Sequence, residues 1–400
     1  MNILVLTSVY KDDSLGSDDR STNVVNSFVH DWVKQEHRVI VVHNSHRYPM
    51  FVHRLPSSIK SKLATRMGFY IADYKTICEK QYEDYGAKIW RLPMLKVIPH
   101  KAHSRSVVNK QIKKIEAILK QEKFEPDVIV GHWASPQMEL VSELKKYHPN
   151  SRTAVVLHGT DYIDQKSFPA HVYLKGIDKL GCRSKTQAEM TQKILGLKDM
   201  PFVCYSGVPD AYLEKFTLDT EKFKDIKTWR FIYVGRLVGY KRVDLVIQAL
   251  STLIEVDWTL DIVGDGAELD NLKEQAKKCG CENMVFFRGR VPRDEVMELM
   301  KQSHCFVMVS KGEIFGLVYL EAMAASCIAI GSIGEGIDGI IKDGKNGYLC
   351  KPADLDALKE KIDTVVNTGN LEKIAANGYE TAKKFADSII AKGYLEKIIE

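Results

Sequence analysis

Short, unbroken runs of apolar residues alternate along the chain with longer stretches whose apolar positions recur every three or four residues. In the first half NILVLTSV, RVIVVH, DVIVGHW and TAVVLHG are such runs, the pattern of parallel strands buried on both faces. Segments 22–36 and 105–121 between them have helical spacing. The second half repeats the scheme with FIYVGR, TLDIVGD, MVFFRG, CFVMVS and CIAIGS, and with helices at about 243–255, 267–279, 293–302 and 316–325. This alternation predicts an α/β protein of two tandem doubly wound, Rossmann-like domains facing a cleft. The periodicity breaks at CYSGVPDAYLEKF, where Gly207, Pro209 and a polar stretch to Thr228 mark the join, which sets the domains at 1–206 and 207–384.

A length of 400 residues suits two cores rather than one, and 45% hydrophobic with 27% charged residues reads as soluble and globular. The opening MNILVLTSVY has an apolar run of about five residues, too short for a secretory signal, and no run of about 18 follows, so a cytoplasmic location is expected. The eight cysteines include no CxxC pair and no histidine partner at finger spacing, which argues against a zinc site or a disulfide framework. The net charge of +5 is unevenly spread. Residues 1–200 hold 31 Lys+Arg against 21 Asp+Glu, and residues 201–400 hold 26 against 31. A basic first half suits an anionic membrane surface or a phosphorylated acceptor. Nucleic acid is not expected, since no recognition motif or basic-aromatic platform is present. PHKAHSRSVVNKQIKKIEAILK and FVHRLPSSIKSKLATRMGFY combine basic with apolar residues and could rest on such a membrane.

In doubly wound sheets the carboxyl ends of the strands carry the ligands. There the chain places Thr7, Ser8, His132, His158 to Asp161, Gly235 and Arg236, Gly264 to Gly266, Arg288 to Arg290, and Ser310 to Glu313. In VGRLVGYKRVD, Arg236 follows a strand and Lys241 precedes a helix, two fixed cations suited to a departing pyrophosphate. In EIFGLVYLEAMA, the backbone N–H groups around Phe315, Gly316, Leu317 and Val318 open a helix and offer an anion site. Glu313 and Glu321 repel phosphate but accept pairs of hydroxyls. A diphosphate between two sugar rings satisfies cations and carboxylates together, which points to a nucleotide sugar.

VGRLVGYKRVD, IVGDGAELDNLKEQA, EIFGLVYLEAMA and DGKNGYLC, in that order, resemble the nucleotide-sugar-binding half of GT-B glycosyltransferases, specifically retaining glycosyltransferase family 4. TSVY, FVHDW, KFEPDVIVGHWASP, VLHGTD and YSGVPDAYLEKF extend the likeness to the first half, in the style of bacterial capsule, exopolysaccharide and teichuronic acid enzymes. The resemblance implies that Arg236 and Lys241 hold the donor diphosphate beside Gly235, with the N–H groups of Gly316 to Val318. It assigns the donor sugar hydroxyls to Glu313, the ribose hydroxyls to Glu321, and the base to the backbone of Arg290 and Val291. His158 and Asp161 match a histidine motif that faces the donor sugar. The family's glycine pair in the first loop is reduced here to Gly16, the remaining candidate for a phosphate or acceptor contact. The final segment, a helix at about 385–400, is implied to cross back to the first domain.

The activity implied is sugar transfer from a nucleotide-diphosphate donor, UDP ahead of GDP, to a glycan or lipid-linked acceptor of surface polysaccharide, without metal or cofactor, on the inner face of the plasma membrane. A GT-B epimerase, or a non-catalytic glycan-assembly partner of the same fold, is the alternative. The literal GxGxxG of Gly334, Gly336 and Gly339 is followed by IIKDGKNGYLC, a strand-turn-strand pattern rather than a helix, which removes the dinucleotide reading. Glu335 within it receives no role. Asp354-Leu-Asp356 spells a DxD metal motif but opens a helix, where aspartates cap.

Overall fold

The computed structural model describes residues 1–12, 23–56, 59–60, 77–97, 101–159 and 168–400. Gly16 and Asp161 fall outside these residues, as does most of the stretch from Phe51 to Tyr70. The chain forms two compact units, one of residues 1–183, 187–204 and 390–400, the other of 184–186 and 205–389.

The first unit is built on β1 (Asn2–Thr7), β2 (Arg38–His43), β4 (Lys80–Asp84), β5 (Ala87–Arg91), β7 (Val128–His132), β8 (Arg152–Leu157), β9 (Lys179–Cys182) and β10 (Phe202–Val203), with β3 (His46–Arg47) and β6 (Met94–Leu95) as a separate pair. The sheet order is β10-β9-β8-β7-β1-β2-β5-β4, parallel except for β4. Its apolar runs supply two cores at once, because successive side chains point to opposite faces. Leu4, Leu6, Ile40, Val42 and Ile129 pack on the face covered by helices Arg105–Gln121 and Gln137–Tyr147. Ile3, Val5, Val39, Val41 and Val130 pack on the other, under helix Val24–Lys34 and the helix Asp387–Ile399. Each such buried side chain contributes about 1.5–3 kcal/mol. From the last helix Ala391, Tyr394, Leu395 and Ile398 enter this core, and the Trp32 indole N–H donates to the Ala391 carbonyl at 3.0 Å.

One expectation for this unit changes, and an edge strand is added. The large apolar residues of PHKAHSRSVVNKQIKKIEAILK are mostly not a surface: Val108, Ile112, Ile115, Ile118 and Leu119 are buried against the sheet, and the helix exposes Lys110, Lys113 and Lys120 instead. The antiparallel edge strand β4 has no apolar run, only KQYED, so hydrophobic pattern gives no sign of it. It is formed by a two-residue hairpin in which Tyr85 and Gly86 both have positive φ, 50° and 89°, the primed turn that matches strand twist.

The second unit is a six-stranded parallel sheet of β11 (Thr228–Val234), β12 (Asp257–Val263), β13 (Val285–Gly289), β14 (Cys305–Val307), β15 (Ile328–Ser332) and β16 (Tyr348–Cys350), ordered β13-β12-β11-β14-β15-β16. Helices Val243–Leu250, Leu269–Lys278, Arg293–Gln302, Leu317–Ala324, Leu355–Asn367 and Leu371–Lys383 accompany it. Asp354 caps one of them, its carboxylate accepting the Ala357 N–H at 3.1 Å. Among the described residues no helix is long and apolar enough to cross a membrane.

Candidate functional site

In the second unit the strand order reverses between β11 and β14, so the loops leaving these strands, 235–242 and 308–316, border the place where such sheets bind ligands. The first loop is pinned from beneath. Gly235 N–H donates to the Val263 carbonyl at 2.9 Å, Leu237 N–H to Asp265 at 3.0 Å, and the Tyr233 hydroxyl to the Arg236 carbonyl at 2.9 Å. A Cβ on Gly264 would overlap the Gly235 carbonyl, so only glycine permits this approach. Lys311 N–H donates to the Tyr240 carbonyl at 2.9 Å and ties the two loops together.

This brings Lys241 and Glu313 into an ion pair with side chains 11% and 15% exposed. Each offsets the other's loss of hydration. The Lys241 amine also lies 3.6 Å from Met308 Sδ. Arg236 is exposed, and its guanidinium donates to the Tyr240 hydroxyl at 3.2 Å.

Gly316 starts the helix Leu317–Ala324 at φ +77°. The N–H groups of Gly316, Leu317 and Val318 have no acceptor within the helix, and they form its positive end. This end is firmly held: Tyr319, Leu320, Ala322 and Met323 are fully buried, and the Tyr319 hydroxyl donates to the Met308 carbonyl at 2.5 Å. Phe315 is buried, with its ring 5.5 Å from that of Tyr205. Glu321, also buried, pairs with Arg293, whose guanidinium lies over the Tyr212 ring at 5.7 Å. Nothing in the spacing links Arg293 to a carboxylate 28 positions away, and sequence reasoning missed it. Directly after β13, Arg290 is exposed and Val291 packs on the core.

The GxGxxG segment is a turn after β15, and no helix follows it. Gly334 and Gly339 have φ of +74° and +88°, and Gly336 is pressed against the Ile314 carbonyl where a Cβ has no room. Its residue without an assigned role, Glu335, accepts hydrogen bonds from the loop that carries Glu313.

In the first unit His158 follows β8. Its Nε2 is 3.1 Å from Nδ1 of His132, and its ring stacks on Trp133 at 4.0 Å. His132 in turn meets the Tyr394 hydroxyl through Nε2 at 3.4 Å. Burial, then the Arg183 guanidinium, lowers the His132 pKa to about 3. Burial, Arg183 and then His132 hold His158 well below the usual 6.5. Both rings are therefore neutral at pH 7 and suited to exchange one hydrogen bond rather than to carry charge.

A stability prediction follows from these lowered values. Below pH 6.5 the unfolded chain binds protons at these histidines while the folded one does not, so stability is full above about pH 7 and falls as the pH drops. The slope is about 1.4 kcal/mol per pH unit for each histidine, down to about 3 for His132. In the second unit His304, lowered to about 4 by burial, Lys222 and Arg230, acts in the same direction. Denaturant melts at pH 7.5 and 5.0 should show this loss, and His132→Phe should lessen it. An unchanged slope in the variant would contradict the account.

A sequence model of the family described as Glycosyl transferases group 1 matches residues 215–384. The N-acetyl-alpha-D-glucosaminyl L-malate synthase of Bacillus anthracis is 33% identical over 285 residues, covering 68% of this chain and 72% of that protein. The lipopolysaccharide core biosynthesis glycosyltransferase LpsE of Rhizobium meliloti is 26% identical over 71% of this chain and 78% of its own. Anabaena Alr3699/HepE, solved in complex with UDP, superposes with a TM-score of 0.67 at 16% identity over the full length of both chains.

Proposed function

We propose a function from one premise: this chain belongs to the group 1 glycosyl transferases and has the two-domain α/β GT-B fold. Within that family we read it as a retaining, metal-independent enzyme of glycosyltransferase family 4. It moves a sugar from a nucleotide diphosphate, UDP ahead of GDP, to a hydroxyl of a glycan or lipid-linked acceptor in surface polysaccharide synthesis. The observation that carries this reading is the Lys241–Glu313 pair beside the N-terminus of helix Leu317–Ala324, at the reversal of strand order. The part in lipopolysaccharide core biosynthesis named for the LpsE relative and the UDP in complex with HepE support the choice of acceptor class and base.

In this reading the diphosphate lies against the N–H groups of Gly316 to Val318, with Arg236 and Lys241 on its oxygens, Glu313 on the sugar hydroxyls and Glu321 on the ribose. The acceptor oxygen forms a bond to the anomeric carbon on the face that the nucleotide leaves. The bond from that carbon to the β-phosphate oxygen breaks with its electron pair on the oxygen, and the same oxygen takes the acceptor proton. Negative charge grows on phosphate, where the two cations and the helix end supply the compensation that a metal supplies elsewhere.

Calorimetry with UDP and GDP in EDTA tests the site. The wild-type protein should bind UDP at least about tenfold more tightly than GDP. Arg236→Ala should weaken UDP by about 10- to 100-fold, the loss of a charge-assisted contact. Absence of binding of either nucleotide, or an Arg236→Ala protein that binds as wild type, would remove the assignment.

A further inference from the structure

The turn after β15 carries a carboxylate that the scheme above leaves unused. Glu335 Oε2 accepts two successive backbone N–H groups, from Gly312 at 2.8 Å and from Glu313 at 2.5 Å. The next residue returns the contact: Gly336 N–H donates to the Glu313 carbonyl at 2.9 Å. The backbone of Glu313 is thus held on both its donor and its acceptor by one short turn. The turn is itself braced, by the Gly334 N–H donating to Asp338 at 2.7 Å and by the fully buried Ile337. Gly336 lies so close to Ile314 that the two segments approach at backbone distance. A carboxylate bonded to two adjacent N–H groups fixes the local φ and ψ, and with them the direction in which the Glu313 side chain leaves the chain.

We propose that Glu335 is a positioning residue for Glu313. The proposal rests on the reading that Glu313 meets the donor sugar. In the free protein Glu313 is fixed at two ends, its backbone by Glu335 and its carboxylate by Lys241. When Lys241 turns to the diphosphate, the side-chain tether is lost and the backbone contact alone keeps the carboxylate aimed at the sugar hydroxyls. Misplacement by about 1 Å at such a group costs on the order of a hundredfold in rate. In that reading the nucleotide does not touch Glu313, so its binding should change little when Glu335 is replaced.

The experiment compares wild type, Glu335→Gln and Glu335→Ala in three readouts: calorimetric binding of UDP, kcat and KM for a UDP-sugar with acceptor, and amide hydrogen exchange at Gly312 and Glu313. In Glu335→Ala, UDP should bind within about twofold of wild type while kcat falls by about 30-fold or more. The two amides should exchange at least about tenfold faster in the same variant. Glu335→Gln keeps an acceptor oxygen without the charge and should fall between. A kcat within about twofold of wild type in Glu335→Ala overturns the proposal, as do amides that stay protected in it. Loss of UDP binding together with kcat in both variants also overturns it, since that is the mark of a merely structural residue. If the wild-type protein turns over no nucleotide sugar, the transferase reading fails instead, and amide exchange alone decides whether Glu335 holds the loop.

Discussion

Lys241→Met should abolish measurable turnover, with a fall of at least about a thousandfold, and should also destabilise the second unit by about 2–4 kcal/mol. Both effects have one origin. Lys241 and Glu313 are both largely buried and pair with each other, so removal of the ammonium leaves a carboxylate without its counter-charge in a place that water reaches poorly. The cost of that orphan exceeds the modest net value of the intact pair. Lys241→Met combined with Glu313→Gln should therefore recover most of the lost stability, because the remaining amide is neutral, yet recover no turnover. Urea melts and rate assays on the single and double variants separate the two effects. A single variant as stable as wild type would show that the pair carries no desolvation burden. Retained turnover in either would remove Lys241 from the chemistry.

Gly316→Ala should weaken UDP binding by about a hundredfold or more and cost about 2–4 kcal/mol of stability. The residue has φ +77°, where an L side chain is strained, and a Cβ there would lie 2.6 Å from the Tyr319 ring. That ring cannot retreat, because it is fully buried and its hydroxyl is bonded to the Met308 carbonyl. The helix start must move instead, and with it the N–H groups of Gly316 to Val318. Gly334→Ala provides the comparison: its φ is +74°, but a Cβ there meets nothing within 4 Å. That variant should bear only the backbone cost of about 1–2 kcal/mol and bind UDP within about threefold of wild type. Normal UDP affinity in Gly316→Ala would mean that this helix end does not hold the nucleotide.

The elements visible in the sequence are those whose local pattern and tertiary environment agree. Strands β1, β2, β7, β8, β14 and β15 carry unbroken apolar runs, and helices Arg105–Gln121 and Arg293–Gln302 coincide with the spans that their periodicity predicts, whereas the parallel strands β5 (AKIWR) and β9 (KLGC) have no such run and were missed. Strand β4 was hidden because an edge strand of charged and polar residues has no hydrophobic signature, although the Asp84-Tyr85-Gly86 turn before β5 was a usable signal. At the candidate site, strand ends and a glycine before a helix drew attention to Arg236, Lys241, Glu313 and Gly316. Their mutual arrangement was not readable, since the Lys241–Glu313 and Arg293–Glu321 pairs depend on which strands lie side by side. Glu335 was obscured for a different reason. Its partners are backbone N–H groups, and backbone groups leave no trace in residue identity.

The placement of residues 390–400 sets the order in which the two units can be completed during synthesis. The first unit's core needs Ala391, Tyr394, Leu395 and Ile398, and Trp32 needs the Ala391 carbonyl. These residues leave the ribosome hundreds of positions after Trp32, when residues 205–389 of the second unit have already emerged. Of the two units, the one whose residues come first is thus completed after the other, which reverses the usual N-terminal-first sequence. Until then the face of its sheet beneath the last helix lacks the apolar cover that these residues supply.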